Sequence, residues 1–358
     1  GDMSANQGGS NSSKVTPARR VYSRGTPPPT ERIAMPPTVA ERIVEELERA
    51  GVRHVHGLPG DSLNGFTDAL RRNDTISWQH VRHEESAAFA ASAEAALTGE
   101  LAVCVGSCGP GNLHLINGLF DAHRSRVPVL AIAAHIPATE IGTGYFQETH
   151  PEQLFRECSA FCEMVGTPDQ MPRLLDIALR TAVEKQDVAV LVIPGETFLA
   201  PCPKRRAGAP IRRIPRVTRP TDAEIDRAAD TLNASERVTI LAGAGVQGSH
   251  DEVVELARAL QAPVVHALRG KEFIEYDNPY DVGMTGLLGF SSGYRAIEKC
   301  DTLLMLGTDF PYEQFYPSKA TIIQVDIRGE QIGRRCPVDL PLVGDVGDTA
   351  RALLPKIS

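Results

Sequence analysis

The stretch VRHEESAAFAASAEAALTGELAVCVGSCGPGNLHLINGLFDAHRSRVPVLAIAAHIP, residues 81–137, decides the fold. Its runs LAVCVGS (101–107) and VPVLAIAA (127–134) are almost wholly apolar and are bounded by Gly or Pro. The helix-like segments ESAAFAASAEAALTG (85–99) and NLHLINGLFDAHR (112–124) alternate with them. A strand that is apolar on both faces belongs in a parallel sheet covered on both sides.

The same alternation extends outward. Upstream lie a helix VAERIVEELERAG (39–51), with Thr38 as its cap and Gly51 as its stop, a strand VRHVHGL (52–58), a helix SLNGFTDALRR (62–72) and a strand ISWQHVR (76–82). Downstream lies the strand VAVLVIP (188–194). A Pro- and Arg-rich segment, PCPKRRAGAPIRRIPRVTRP (201–220), interrupts the pattern and reads as an interdomain linker. Helix TDAEIDRAADTLN (221–233), strand RVTILAG (237–243), helix HDEVVELARALQ (250–261) and strands APVVHAL (262–268), TLLMLGT (302–308) and TIIQVDI (321–327) then follow. The expected architecture is α/β, with two successive doubly wound domains of mainly parallel sheet, over residues 38–200 and 221–358. Residues 1–37 are a polar, Ser-, Arg- and Pro-containing tail expected to be disordered, because they cannot bury enough apolar surface to offset the entropy of ordering.

Composition narrows the function. A chain of 358 residues exceeds what one core supports. Its 37 Lys and Arg against 45 Asp and Glu, with no basic block interleaved with aromatics in the folded part, argue against nucleic acid as a partner. The seven cysteines are dispersed and form no C-x-x-C pair, so neither a disulfide framework nor a zinc site is expected, and no metal ligand is assigned. Reduced thiols, the absence of a secretory leader and the absence of an apolar run of roughly 18 residues point to the cytoplasm.

Several segments carry candidate chemistry. Glu84 and Glu85 follow a strand and open a helix, where the macrodipole favours acids. Gly109-Pro110-Gly111-Asn112 reads either as a turn with Asn112 as helix cap or as a ligand contact, and Gly57 to Asp61 reads as a turn with Asp61 or Ser62 as cap. The loop Gly142 to Glu148 contains Tyr145, Phe146 and Gln147, aromatics and polar groups that a purely structural loop rarely needs. Gly243-Ala244-Gly245-Val246-Gln247-Gly248 matches G-x-G-x-x-G, a weak signal by itself. Arg269 and Lys271 stand where a nicotinamide dinucleotide site would want an acid, and so favour another phosphate-bearing cofactor. Asp326 ends a strand and is either a cap or a ligand contact.

Residues 81–137, followed by GYFQETHPEQLF (144–155), resemble the pyrimidine-binding domain of thiamine-diphosphate enzymes, and among these most resemble pyruvate oxidase, the quinone-linked pyruvate dehydrogenase. PVVHALRGKEFIEYDNPYDVGMTGLLGFSSGY (263–294) and LGTDFPYEQFYPSKATIIQVDI (306–327) resemble that family's central FAD-binding domain. The resemblance runs from about residue 38 to the C-terminus. It implies that Glu84 is the catalytic carboxylate that hydrogen-bonds the cofactor's pyrimidine ring, that Gly109, Pro110 and Gly111 lie near that ring, and that Phe146 and Gln147 line the space between thiamine and flavin. It likewise implies flavin contacts by Thr285, Gly286, Leu287, Leu288, Thr308, Asp309, Phe310, Pro311, Tyr312 and Asp326, beside the Gly243, Gly245 and Arg269 positions. The implied cofactors are thiamine diphosphate, FAD and Mg²⁺, and the implied reaction converts pyruvate to acetate and carbon dioxide with quinone as electron acceptor. A homo-oligomer, or a partner chain carrying the diphosphate domain, and peripheral contact with the inner membrane face are implied as well.

The family's third, diphosphate-binding domain has a G-D-G signature, which this sequence does not contain. Gly344-Asp345-Val346-Gly347 has Val346 where the second glycine is required. The chain therefore reads as the N-terminal portion of a longer enzyme, as one subunit of a split enzyme, or as a non-catalytic flavin- or partner-binding module. An acetolactate-synthase-like carboligase is the alternative among enzymes.

Overall fold

The computed structural model describes residues 36–203, 208–214 and 216–358. The chain divides into two compact units between residues 214 and 215. The expected disorder of residues 1–37 falls outside the described residues except at its end, where the Pro37 carbonyl accepts a hydrogen bond from the Cys202 N–H at 2.8 Å.

The first unit contains strands β1 (His54–Gly57), β2 (Ser77–His80), β3 (Ala102–Gly106), β4 (Val129–His135), β5 (Phe161–Met164) and β6 (Val188–Pro194). Its helices are α1 (Val39–Arg49), α2 (Asn64–Arg71), α3 (Glu84–Thr98), α4 (Pro110–Ser125), α5 (Pro151–Leu154) and α6 (Met171–Lys185). The strands form one parallel sheet of order β2-β1-β3-β4-β6-β5. Along β4, Leu130, Ile132 and Ala134 enter one core while Val129, Ala131 and Ala133 enter the other, so both faces are covered by helices. Thr38 caps α1 in a reciprocal capping box with Glu41. Residues 208–214, which the sequence assigned to a linker, lie along this unit: Arg49 and Arg180 donate to the Gly208 and Ala209 carbonyls at 3.2 and 2.9 Å.

The second unit contains β7 (Val238–Ala242), β8 (Val264–His266), β9 (Asp281–Met284), β10 (Thr302–Leu306), β11 (Thr321–Asp326) and β12 (Leu340–Val343). Its helices are α7 (Asp222–Asn233), α8 (His250–Leu260), α9 (Lys271–Ile274), α10 (Ser291–Lys299) and α11 (Val346–Leu353). This sheet is also parallel, in the order β12-β11-β10-β7-β8-β9. Alternate residues of β10, Leu304 and Leu306 against Leu303 and Met305, again supply two cores. The fold is therefore two α/β domains, each with a six-stranded parallel sheet flanked by helices.

Strand order reverses between β1 and β3 in the first sheet and between β7 and β10 in the second. In open α/β sheets the crevice at the carboxyl ends of such a pair is where ligands bind.

The helix pair α3 and α4 borders the first crevice. Alanines Ala87, Ala88, Ala91 and Ala95 of α3 are buried, and α4 meets them with Gly111, Leu115, Gly118, Leu119 and Ala122. A Cβ placed on Gly118 would lie 2.5 Å from the Ala88 Cβ and 2.7 Å from the Phe89 backbone nitrogen. Backbone on one side and a methyl on the other cannot move aside without separating the helices. Gly118→Ala is therefore expected to destabilise the first unit by about 1–3 kcal/mol, the cost of overpacking a close contact, read as a lowered thermal midpoint with an unchanged far-UV spectrum at room temperature.

Candidate functional site

In the first unit, the loops that follow β1, β2, β3 and β4 meet at the carboxyl edge of the sheet. Glu84 is the first residue of α3, follows the β2 turn, and is only 6% exposed. The helix N-terminus favours its charge. One carboxylate oxygen, Oε2, lies 2.9 Å from His114 Nδ1 on α4. The other, Oε1, faces Gly111, where an added Cβ would stand 3.1 Å from it. The imidazoles of His83 and His114 stack with centroids 4.1 Å apart. Ligand atoms of His83, Glu84 and His114 lie within 4.8 Å of one another. At 2.9 Å the Glu84 to His114 separation fits a hydrogen bond.

Gly109 adopts φ 65°, and α4 begins at Pro110, whose missing N–H costs nothing at a helix start. Asn112, one of the two readings of this turn, is not the cap: it lies inside the first helical turn and donates Nδ2–H to the Ala134 carbonyl at 2.6 Å. Its Oδ1 is buried without a partner among the described residues. Neither Asp61 nor Ser62 caps α2, whose N-terminus has no side-chain cap. Ser62 Oγ instead accepts the Cys108 N–H at 2.9 Å and lies 2.8 Å from Ser107 Oγ, joining the loops after β1 and β3 across the point where strand order reverses.

The 142–148 loop packs on this turn through Gln147: its Cβ would be 3.0 Å from a Cβ on Gly109, and its Oε1 accepts the Cys108 thiol at 3.3 Å. Phe146 points to solvent, 79% exposed, with Tyr145 at 4.8 Å between ring centroids. Glu148 organises the loop by accepting the backbone N–H groups of Gly142, Gly144 and Tyr145. The bonds from Gly142 and Gly144 chiefly hold its carboxyl below the usual value. The structure thus brings Glu84, Gly109, Pro110, Gly111 and Gln147 together, with Phe146 at their edge. His114 and Glu148 join them without having been singled out in the sequence, and Ser62 joins them in place of the capping role expected of it. His114 did leave a signal: His114, Asn117 and Asp121 form a polar row at helical spacing.

In the second unit, Gly243 and Gly245 follow β7 and press against the end of β10. A Cβ on Gly243 would meet Thr308 Cβ at 2.5 Å, and the Gly245 N–H bonds the Gly307 carbonyl at 2.9 Å. These glycines serve close chain approach, and α8 starts only at His250, beyond the motif. Thr308 Oγ1 accepts the Phe310 N–H at 3.2 Å, and the Asp309 carbonyl accepts Arg335 Nε–H at 3.3 Å. Phe310 is buried among Tyr312, Phe315 and Tyr316, next to exposed Pro311. The Thr285 to Leu288 turn follows β9. Gly286 there has φ 103° and a Cβ position 3.1 Å from the Phe310 ring, Thr285 Oγ1 is buried without a partner among the described residues, and Leu287 and Leu288 are exposed. Arg269 lies in the turn after β8. Asp326, at the end of β11, accepts the Arg328 N–H at 2.9 Å and so closes its own turn. Asp345 is the N-cap of α11, bonded to the Asp348 N–H at 3.0 Å. The cysteines are free thiols, and no helix among the described residues is long and apolar enough to cross a membrane.

Comparison with known proteins gives matches over most of the chain. Residues 37–154 match the N-terminal TPP binding domain of thiamine pyrophosphate enzymes, and residues 225–353 match the central domain of the same enzymes. An uncharacterized 42.6 kDa protein of Pseudomonas amyloderamosa is 64% identical over 320 residues, covering 89% of this chain and 81% of the relative. Pyruvate oxidase of Lactiplantibacillus plantarum is 31% identical, covering 88% of this chain and 53% of the relative. Acetolactate synthase isozyme 1 large subunit of Escherichia coli is 30% identical, covering 89% and 58%. The chain thus spans little more than half the length of these two enzymes.

Glu148→Gln should loosen the 142–148 loop, speeding chymotryptic cleavage after Tyr145 and Phe146 at neutral pH. A carboxyl held below its usual value supports the loop above the ordinary 4.5 and releases it as pH falls through the lowered value. The amide signals of Gly142, Gly144 and Tyr145 should therefore shift together, and only below pH 4.5.

Proposed function

The chain belongs to the thiamine pyrophosphate enzyme family, of which it carries the N-terminal and central domains, and from that premise we propose that it forms the pyrimidine-binding half of a thiamine diphosphate site together with a flavin-binding domain, in an enzyme that oxidises pyruvate to acetate and carbon dioxide. The observation that carries this reading is the Glu84 carboxylate, buried at a helix start with Oε2 held by His114 and Oε1 directed at the Gly111 backbone. The residues fit an aminopyrimidine: a carboxylate able to share a proton with a ring nitrogen, glycine backbone with no side chain of its own, and a buried Asn112 Oδ1 without a partner among the described residues. When bound, thiamine diphosphate supplies the electron sink for decarboxylation. Glu84 would hold and move the proton at the pyrimidine ring, the Gly109 to Gly111 turn would support the ring, and the 142–148 loop would cover it.

The central domain fits a nucleotide cofactor at its own carboxyl edge. Thr285 Oγ1 is buried without a partner among the described residues, and the Gly243 to Gly245 and Gly307 turns bring backbone close together where strand order reverses. FAD is the cofactor proposed there, with Thr285 to Leu288 and Thr308 to Tyr312 as contacts and quinone as the final electron acceptor. Gly344-Asp345-Val346 does not fit the Mg²⁺ and diphosphate cradle, because Asp345 is already a helix cap. That cradle is proposed to come from a diphosphate-binding domain beyond the matched region or on another subunit, in a cytoplasmic homo-oligomer that docks peripherally on the membrane. An acetolactate synthase type of carboligation is the second reading, carried by the 30% identical synthase.

Purified chain should take up FAD with a shifted flavin spectrum. Supplied with thiamine diphosphate, Mg²⁺ and a diphosphate domain of the family, it should reduce an artificial acceptor in the presence of pyruvate. Acetolactate formation without dye reduction would favour the second reading. Glu84→Gln should slow proton exchange at the thiazolium by roughly 10²–10⁴-fold, the usual contribution of a positioned acid or base, whereas Glu85→Gln, which loses only a charge at a helix start and keeps an oxygen for the Asn117 amide, should leave it near the parent rate.

A further inference from the structure

We infer that His114 is a positioning residue that fixes which oxygen of Glu84 is offered to a ligand, and that it does so as the less common imidazole tautomer, opposite to that of the histidine stacked on it. The functional half of this inference rests on the reading of Glu84 as the pyrimidine partner. The structural half does not.

A carboxylate has only lone pairs to offer, so the 2.9 Å contact between Glu84 Oε2 and His114 Nδ1 requires the proton on Nδ1. The neutral ring then keeps its lone pair on Nε2. His83 is constrained in the opposite sense: it is the N-cap of α3, and its Nδ1 accepts the Glu85 N–H at 3.2 Å. A backbone N–H can only donate, so neutral His83 carries its proton on Nε2. The two rings stack at 4.1 Å with 25° between their planes. His83 therefore holds the face of His114 while Glu84 holds its edge.

The consequence lies at Oε1. A carboxylate at a helix start with both oxygens unpaired could rotate about its last bond and present either one. With Oε2 tied to an imidazole on the neighbouring helix, Oε1 is the oxygen left to face the Gly111 backbone. His114 does this from a half-exposed position, its side chain 42% accessible against 8% for Glu84, so it can be replaced without opening a core cavity.

The test uses the intact chain with ¹⁵N-labelled histidine. Long-range ¹H–¹⁵N spectra recorded where both rings are neutral should show His114 protonated at Nδ1 and His83 protonated at Nε2. Glu84→Ala should return His114 to the Nε2–H form that an unconstrained imidazole prefers, leaving His83 unchanged. Titration with thiamine diphosphate in the presence of Mg²⁺ and a diphosphate domain of the family, followed by amide shifts of the 106–112 turn, should show His114→Phe binding roughly ten- to a hundredfold more weakly than the parent chain, the scale of one hydrogen bond to a charged group. His114→Gln keeps a donor and should recover to within a few-fold. An Nε2–H His114 in the parent chain would overturn the tautomer assignment. Parent-like affinity of His114→Phe alongside weakened Glu84→Ala would overturn the positioning role. If the parent and Glu84→Ala bind equally, or neither binds, the pyrimidine reading of Glu84 fails, while the tautomer spectra still decide whether His114 orients the carboxylate.

Discussion

The approach of α4 to α3 governs the first crevice, because residues 30 positions apart in sequence meet only if the two helix backbones nearly touch. Small residues make that distance possible: alanines on α3 face Gly118 on α4, where even a methyl would collide. Three polar pairs then set the register of the helices. Glu84 meets His114, Glu85 meets Asn117 at 3.0 Å, and Ser92 meets Asp121 at 2.7 Å. Register and distance are thus settled by separate groups, and together they place an imidazole on a buried carboxylate.

The same logic of close backbone approach recurs where strand order reverses in each sheet. After β1 and β3 the two loops are joined by Ser62, whose hydroxyl serves a backbone N–H and a second hydroxyl at once. After β7 and β10 the loops are joined through close backbone approach, with the Gly245 N–H bonded to the Gly307 carbonyl and Gly243 against Thr308. A crevice at such a point is lined by main chain rather than by bulky side chains, which suits a flat ring or a phosphate-bearing ligand. The G-x-G spacing at Gly243 is explained by this contact between loops, whatever cofactor binds.

Central strands were legible in the sequence because burial on both faces leaves a continuous apolar signal, as in β3, β4, β6, β7, β10 and β11. The edge strands β5, β9 and β12 escaped notice, because each is four residues long and at least partly exposed and so lacks that signal. Glu84 was legible because a carboxylate between a strand and an alanine-rich helix is unusual in itself. His114, Ser62 and Glu148 were not, because the significance of each depends on a partner supplied by another loop or helix. Asn112 shows the converse failure. Local grammar made it a cap, but its side chain is used across the fold at Ala134, and Gly109 takes the cap position through a conformation that side chains disfavour.

Rigidity is distributed unevenly around the crevice, and the distribution follows the chemistry. Glu84 stands on a helix whose packing and register are over-determined, so its carboxylate has one well-defined position. The segment that would cover it, with Phe146 79% exposed, is held largely by one half-exposed carboxylate, Glu148, gathering three backbone N–H groups. An arrangement of that kind costs little to open and re-forms without rearranging the core, because breaking it exposes polar groups that water can satisfy. Proton transfer requires a fixed donor–acceptor distance, whereas admission of a cofactor requires a cover that can yield. On the proposed reading the first falls to the α3–α4 pair and the second to an exposed loop, so the cover could move without disturbing the carboxylate, and Gln147, in contact with both Gly109 and Cys108, is the point at which the two meet.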